Sequence, residues 1–347
     1  MNDHTATSGR RSFFGPVLRR LILSLLLLFA AAGLPSAPDA ARLTAIPELF
    51  APGSYRLEFL ADGASDLFAL DINQDGRVVG RYHVSGRPMG VFVWDGMLLR
   101  KFDGAARPTT IADDGRVLGW RGPVHRARPM YLDATGRDLS LPFVFGRALR
   151  TNLLGQIAAV TTGGGDERLV LVDGNRARII ARANRCRVGG ITDNGQLAYA
   201  LKSGEKWKSY LLRASGQNLE LGDLGGGETL VKGLNASGVV VGVSRLADGS
   251  RHAFLWDQGR MRDLGTLGGR FSQALAINSR GQVVGWSHDA DGRRHSVLWQ
   301  NGRIYDLEPL LGVGSVIVGL NDQGQLVGWR PASQGRWQAL VATPKAS

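Results

Sequence analysis

The feature that most restricts this chain is a glycine-centred motif that returns every 39 to 43 residues. "LNASGVVVG" (234–242), "INSRGQVVG" (277–285) and "LNDQGQLVG" (320–328) set Gly238, Gly281 and Gly324 43 residues apart. Weaker copies surround Gly76, Gly115, Gly155 and Gly195, at intervals of 39, 40, 40 and 43. A period of this size over most of a chain indicates repeated supersecondary units, each too small to bury its own apolar face. Seven markers predict seven units.

The interior of each unit reads as strand. Eighteen residues past the marker, Trp94, Trp256 and Trp299 close the alternating segments "GVFVW", "HAFLW" and "HSVLW", and "PMYLD", "LVLVD", "SYLLR" and "QALVA" occupy the same place elsewhere. A tight turn such as DG or NG follows, then a fourth short segment such as "MRDLG" or "IYDLE". Two-residue turns of this composition close antiparallel hairpins. Each unit is therefore four short antiparallel strands, A to D, and 48 glycines against 13 prolines suit so many turns.

This predicts an all-β fold, a seven-bladed β-propeller over residues 55–347. The last unit ends after strand C. "YRLEFL" (55–60) aligns without gaps with "MRDLGT" (261–266), so the N-terminal strand is expected to pair into the last blade and close the ring.

Residues 251–287, "RHAFLWDQGRMRDLGTLGGRFSQALAINSRGQVVGWS", carry a resemblance to the HAF-repeat family of probable extracellular proteins, through His252, Ala253 and Phe254 and the "DLGTLGG" connection. The resemblance covers residues 220–347, and units two to four keep only the glycine turn. It implies an extracellular repeat protein and no particular activity.

The N-terminus points the same way. Arg10, Arg11, Arg19 and Arg20 precede the apolar run 21–34 and a small-residue tail, the order of a secretory signal peptide, with an uncleaved membrane anchor as the alternative. Residues 1–40 are assigned to it and 41–54 to a linker, which predicts a periplasmic or extracellular protein. Without residues 1–40 the formal charge falls from +12 to +10. The single cysteine, Cys186, excludes an internal disulfide.

The A–B and C–D turns are minimal, whereas the B–C segments are longer and polar, so binding is expected on the B–C side. A basic residue stands 13 positions after the marker in five units (Arg128, Arg168, Lys208, Arg251, Arg294) and nearby in the other two (Arg87, Arg336). Around a closed propeller these seven form a ring suited to an anionic polysaccharide or envelope component, with a protein partner as the other possibility. Nucleic acid is not expected, and membrane contact is expected only through an uncleaved N-terminal segment. The competing reading makes the charges intrablade pairs: Arg251 with Asp263, Arg294 with Asp306, Lys208 with Glu220.

His252 and His295 join the candidate binding residues, as do Trp207 and Trp337 at the polar ends of B–C segments. No GxSxG, P-loop, HExxH or paired Cys/His spacing occurs, so no catalytic residue, cofactor or metal is expected. Asp71, Asn73 and Asp75 in "DINQDGRVVG" mimic the start of a calcium loop. Their counterparts keep the Asn and Gly without the carboxylates, which favours a type I turn. The non-enzymatic binding propeller has one rival, a glycoside hydrolase or polysaccharide lyase using acids such as Asp166, Glu167, Glu205, Asp248, Asp289 or Asp291 near the axis.

Overall fold

A computed structural model of the chain describes residues 54–345 except 105, 124, 125, 134–145 and 164. The expected signal (1–40) and nearly all of the linker (41–54) lie outside the described residues. No described helix is long and apolar enough to cross a membrane.

The turn at the marker glycine is the local element from which the rest is built. In all the units the glycine N–H donates to the carbonyl three residues back, as Gly76 does to Asn73 at 3.1 Å, and the N–H of that earlier residue donates to the carbonyl just after the glycine. The seven marker glycines hold φ between 75° and 85°, the left-handed region that L side chains avoid. A type I turn ending in such a glycine joins strands A and B with the right twist.

The four strands expected of each unit pair in order. Unit one has A Asp66–Ile72, B Val78–His83, C Gly90–Trp94 and D Leu99–Phe102. Unit three runs Arg147–Thr151, Ile157–Gly163, Asp166–Asp173 and Arg176–Ala183; unit four runs Arg185–Ile191, Leu197–Ser203, Lys206–Leu212 and Asn218–Glu220. Unit five runs Gly225–Leu234, Val240–Leu246, Arg251–Asp257 and Arg260–Asp263; unit six runs Gly268–Ile277, Val283–Asp289, Arg294–Gln300 and Arg303–Asp306. Unit two shows Ala106–Ile111, Val117–Arg121 and Arg128–Leu132 among the described residues. In the last unit, A Val316–Leu320, B Leu326–Pro331 and C Trp337–Pro344 are joined by Tyr55–Leu60, antiparallel to strand C from Tyr55 opposite Pro344 to Leu60 opposite Ala339. A short helix, Glu308–Leu311, precedes this last sheet and buries Leu310 and Leu311.

Strand A carries a bulge in each of these sheets, between Ala69 and Asp71 in unit one and between Ala274 and Ala276 in unit six. Opposite it stands the second glycine of the motif, except in units three and four, which have Ala159 and Tyr199 there. A Cβ on Gly285 would lie 2.0 Å from the Gln273 carbonyl, and one on Gly328 would lie 1.8 Å from that of Val316. The spacing "GQVVG" thus records a backbone contact too close for a side chain.

The core lies between sheets. Phe92 and Phe254 of strands C are fully buried, and Trp94, Trp256 and Trp299 nearly so. Each A strand packs against the A strand of the next unit, and that of the last unit packs against Asp66–Ile72 of the first. Buried asparagines join the turns in the same order. Asn235 Nδ2 donates to the Asn278 carbonyl (3.1 Å), Asn278 to Asn321 (3.0 Å), Asn321 to Asn73 (3.1 Å), and Asn73 to Ala112 (3.0 Å). Each Oδ1 also accepts a backbone N–H of its own turn, as Asn73 Oδ1 does from Arg77 at 2.8 Å. One amide therefore closes its own turn and clamps the next. The repeated Asn reflects buried hydrogen bonding, which is costly to leave unmade.

Candidate functional site

The candidate ring of basic residues is in unequal states. Lys208 Nζ lies 2.9 Å from Glu220, the pair expected across the C–D turn. Arg251 and Arg294 differ from that expectation. Asp263 stands opposite Phe254 and Asp306 opposite Val297, so the diagonal partners on the same face are His252 and His295, and the arginines project from the other face. Accordingly His252 Nδ1 lies 2.8 Å from Asp263, while Arg251 turns to Glu228 at 3.1 Å. The Arg294 guanidinium lies 4.6 Å from the Trp286 ring, and burial lowers its pKa. Arg336 donates to the Gly63 carbonyl at 2.6 Å. Arg87, Arg128 and Arg168 have no carboxylate partner among the described residues.

The other candidates are drawn into the structure. His295 is nearly buried, with Asp289 and Asp306 oxygens each 3.0 Å from a ring nitrogen and Glu308 at 3.5 Å. Trp337 packs against Phe68 at 6.1 Å, and its backbone N–H donates to Asp66. Asp71 accepts from the Thr110 hydroxyl at 2.5 Å and the Ile111 N–H at 3.1 Å; Asn73 is occupied as described, and Asp75 is exposed. Among the described residues no three His, Cys, Asp or Glu groups are placed to hold a metal ion.

The carboxylates named for an enzyme are dispersed. Glu205 is exposed beside Lys202, Asp248 caps its own turn through Ser250, Asp289 faces His295, and Asp166 and Asp291 are exposed. Glu167 alone is buried. It takes Arg147 at 2.7 Å and the Cys186 N–H at 2.6 Å, with Arg187 at 3.9 Å, so it ties strand C of unit three to strand A of unit four. Beside it, burial and then the Glu167 charge push the Cys186 thiol up to about 11. At pH 8 the folded protein is expected to resist a thiol reagent that labels it one-to-one in denaturant. Rapid native labelling would contradict this placement.

A second group of cations was not singled out from the sequence. Arg107, Arg147 and Arg187 stand eight residues before the markers of units two, three and four, where the other units have Phe68, Leu230, Gln273 and Val316. All three are on A strands, together with Arg150 and Lys232. Arg107 stacks 4.7 Å from Trp120, and Arg187 lies 5.3 Å from Trp207, which brings one expected aromatic to this group.

Their charges meet. Burial lowers the pKa of Lys232, and Arg187 and Arg150 lower it further; burial and then Arg147 lower that of Arg187, against Glu167. Burial, with Arg107 adding to it, lowers that of Arg81 on strand B of unit one. Burial raises the Asp71 carboxyl, with Arg150 opposing. The available signal was a charge at one register position in three consecutive units. Residues 101–190 also hold fifteen basic against eight acidic residues, while 191–347 hold seventeen against thirteen.

Together these features define a β-propeller-like, all-β protein of four-stranded antiparallel sheets with a basic sector in units two to four. Solved structures share the fold. An acylaminoacyl peptidase in complex with Z-Gly-Gly-Phe-chloromethyl ketone matches with a TM-score of 0.55 and 11% identity, over 81% of this chain and 52% of its own. The acylaminoacyl peptidase of Pyrococcus horikoshii matches at 0.54 and 12%, over 79% and 50%. TolB from Acinetobacter baumannii gives 0.46 and 12%, over 84% and 98%. No family model matches the chain, and no curated protein matches it. At such identities the likeness concerns fold alone.

Proposed function

We propose that the chain is an exported, non-enzymatic binding propeller. In this reading its seven sheets are blades closed into a ring by strand 55–60, and its B–C side meets an anionic polysaccharide or envelope component. The sequential packing of A strands, the asparagine relay from Asn235 through Asn321 to Asn73, and the Tyr55–Pro344 ladder support the closure. The charged and then apolar order of residues 1–34, with the HAF-repeat resemblance, supports export.

The observation that carries the binding reading is the uneven use of the basic ring. Lys208 and Arg251 are neutralised by Glu220 and Glu228, whereas Arg87 of unit one, and Arg128 and Arg168 of the basic sector, hold uncompensated charge. Such cations raise the local concentration of an anionic polymer and release counterions on contact. Replacing Arg87, Arg128 and Arg168 together by Gln is expected to lower markedly the salt concentration that elutes the protein from an immobilised acidic polysaccharide. Lys208→Gln is expected to leave it nearly unchanged. A wild-type protein that runs through at low salt, or a triple variant eluting with the wild type, overturns the reading.

A further inference from the structure

The turn between strands A and B is polar in most units, where Gln74–Asp75, Asp113–Asp114, Asp193–Asn194, Ser279–Arg280 and Asp322–Gln323 fill its two central positions. Unit three has Leu153 and Leu154 there, 54% and 69% exposed. Leu154 lines a cavity of about 830 Å³ between units three and four, together with Leu171, Ala177, Ala214, Arg176 and Arg178. A lone exposed leucine needs no explanation, but one that joins three apolar side chains and two arginines around a single hollow marks a candidate site.

The junctions between units show how the hollow arises. The strand D residue opposite the central leucine of strand C faces the next unit. In unit four it is Leu219 opposite Leu211, and in unit six Tyr305 opposite Leu298. These side chains pack into clusters shared with the following unit, and Leu211 and Leu298 are 1% and 0% exposed. In unit three the residue is Arg178 opposite Leu171, and an unpaired charge is too costly to bury in the seam. The seam stays unfilled, and Leu171 is partly exposed. Unit five repeats the arrangement with Arg262 opposite Leu255 around a cavity of about 480 Å³, but Ser237 stands in place of Leu154.

The charges around the larger hollow are unequally satisfied. Its carboxylates have donors: Asp173 accepts from Gln156 Nε2 at 2.9 Å, and Asp193 from the Leu153 N–H at 2.7 Å. Arg176 and Arg178 have no carboxylate partner among the described residues. Two positions apart on strand D, they stand on one face, about 7 Å from each other along the strand. Residues 174–185 hold four arginines and no acid. A ligand suited to this lining is negative at one end and apolar along the rest.

We propose that the cleft between units three and four binds one small amphipathic anion, an acyl or aryl body ending in a carboxylate or sulfonate. Arg176 and Arg178 take the head group, and Leu154, Leu171, Ala177 and Ala214 cover the body. Guanidinium forks match such oxyanions, and the volume lies in the range of small-molecule sites. The cleft lies among the A–B and C–D turns, on the other side from the B–C segments. It therefore does not depend on polymer binding at Arg87, Arg128 and Arg168.

Titration of the folded protein with anilinonaphthalene sulfonate, followed by dye fluorescence with dodecanoate as competitor, tests it. The wild type is expected to bind the dye saturably and to release it to dodecanoate. The Arg176→Gln, Arg178→Gln double variant should weaken dye binding about tenfold or more. Leu154→Asn, which installs the residue type that Asn194 supplies in unit four, should weaken it by the same order without lowering Tm. Arg262→Gln and the Arg87, Arg128 and Arg168 triple variant should keep it. Dye fluorescence that rises only as the protein unfolds, or equal binding by the wild type, the double variant and Leu154→Asn, overturns the site. Binding to phosphatidylglycerol vesicles but to neither free probe overturns it as well, in favour of a lipid surface.

Discussion

Deletion of residues 55–60 is expected to abolish cooperative thermal unfolding of the remaining chain. The segment supplies the outer strand of the last sheet, six residues in register with Leu340 and its neighbours. Tyr55 is buried in a cluster with Leu326, Leu340 and Ala342, and Leu57 packs against it. Burial of such a side chain contributes about 1.5–3 kcal/mol. Two of them plus a hydrogen-bonded ladder are comparable with the roughly 5–15 kcal/mol that separates a folded domain from its unfolded chain.

The deletion also exposes strand Trp337–Pro344 as an open edge, a template for aggregation. A synthetic peptide spanning 54–61, added in trans, should restore part of the transition. A deletion variant that melts within a few degrees of the wild type would rule out ring closure by this strand.

Glu167→Ala is expected to cost about 3–5 kcal/mol, the range for breaking a buried ion pair by removing one partner. The carboxylate is enclosed, and its loss leaves Arg147 and the Cys186 N–H unsatisfied together. Arg187 then faces Arg147 and Lys232 without its nearest negative charge. Urea denaturation is the measurement, with Glu205→Ala as the exposed control expected to change stability by less than about 0.5 kcal/mol. A loss below about 1 kcal/mol for Glu167→Ala would show that water reaches the pair and that the two strands do not depend on it.

These effects separate what a repeat makes readable from what it conceals. The unit length, the strand order and the Asn-to-Gly turn recur in one dimension because every unit imposes the same backbone demands, such as positive φ at Gly76 and the close contact at Gly285. The calcium-like reading of Asp71, Asn73 and Asp75 already weakened on comparing copies, and the structure supplies the reason for Asn73, a clamp on the next unit.

The pairing of charges was less readable. Counting from the marker glycine puts Arg251 and Arg294 near Asp263 and Asp306, but a strand alternates faces, and a shift of one residue assigns the carboxylates to His252 and His295 instead. Only in unit four, where Glu220 stands opposite Tyr210, does the parity favour Lys208.

By itself, then, the sequence determined the repeating strand unit and its turns, because local sterics and hydrogen bonding act between residues a few positions apart. Which cations stand on neighbouring strands was decided only by the tertiary structure. Arg150, Arg187 and Lys232 are separated by 37 and 45 residues along the chain, and nothing in their spacing states that their strands approach side by side. Coulombic interaction depends on distance through space, and that distance is set by the packing of whole sheets.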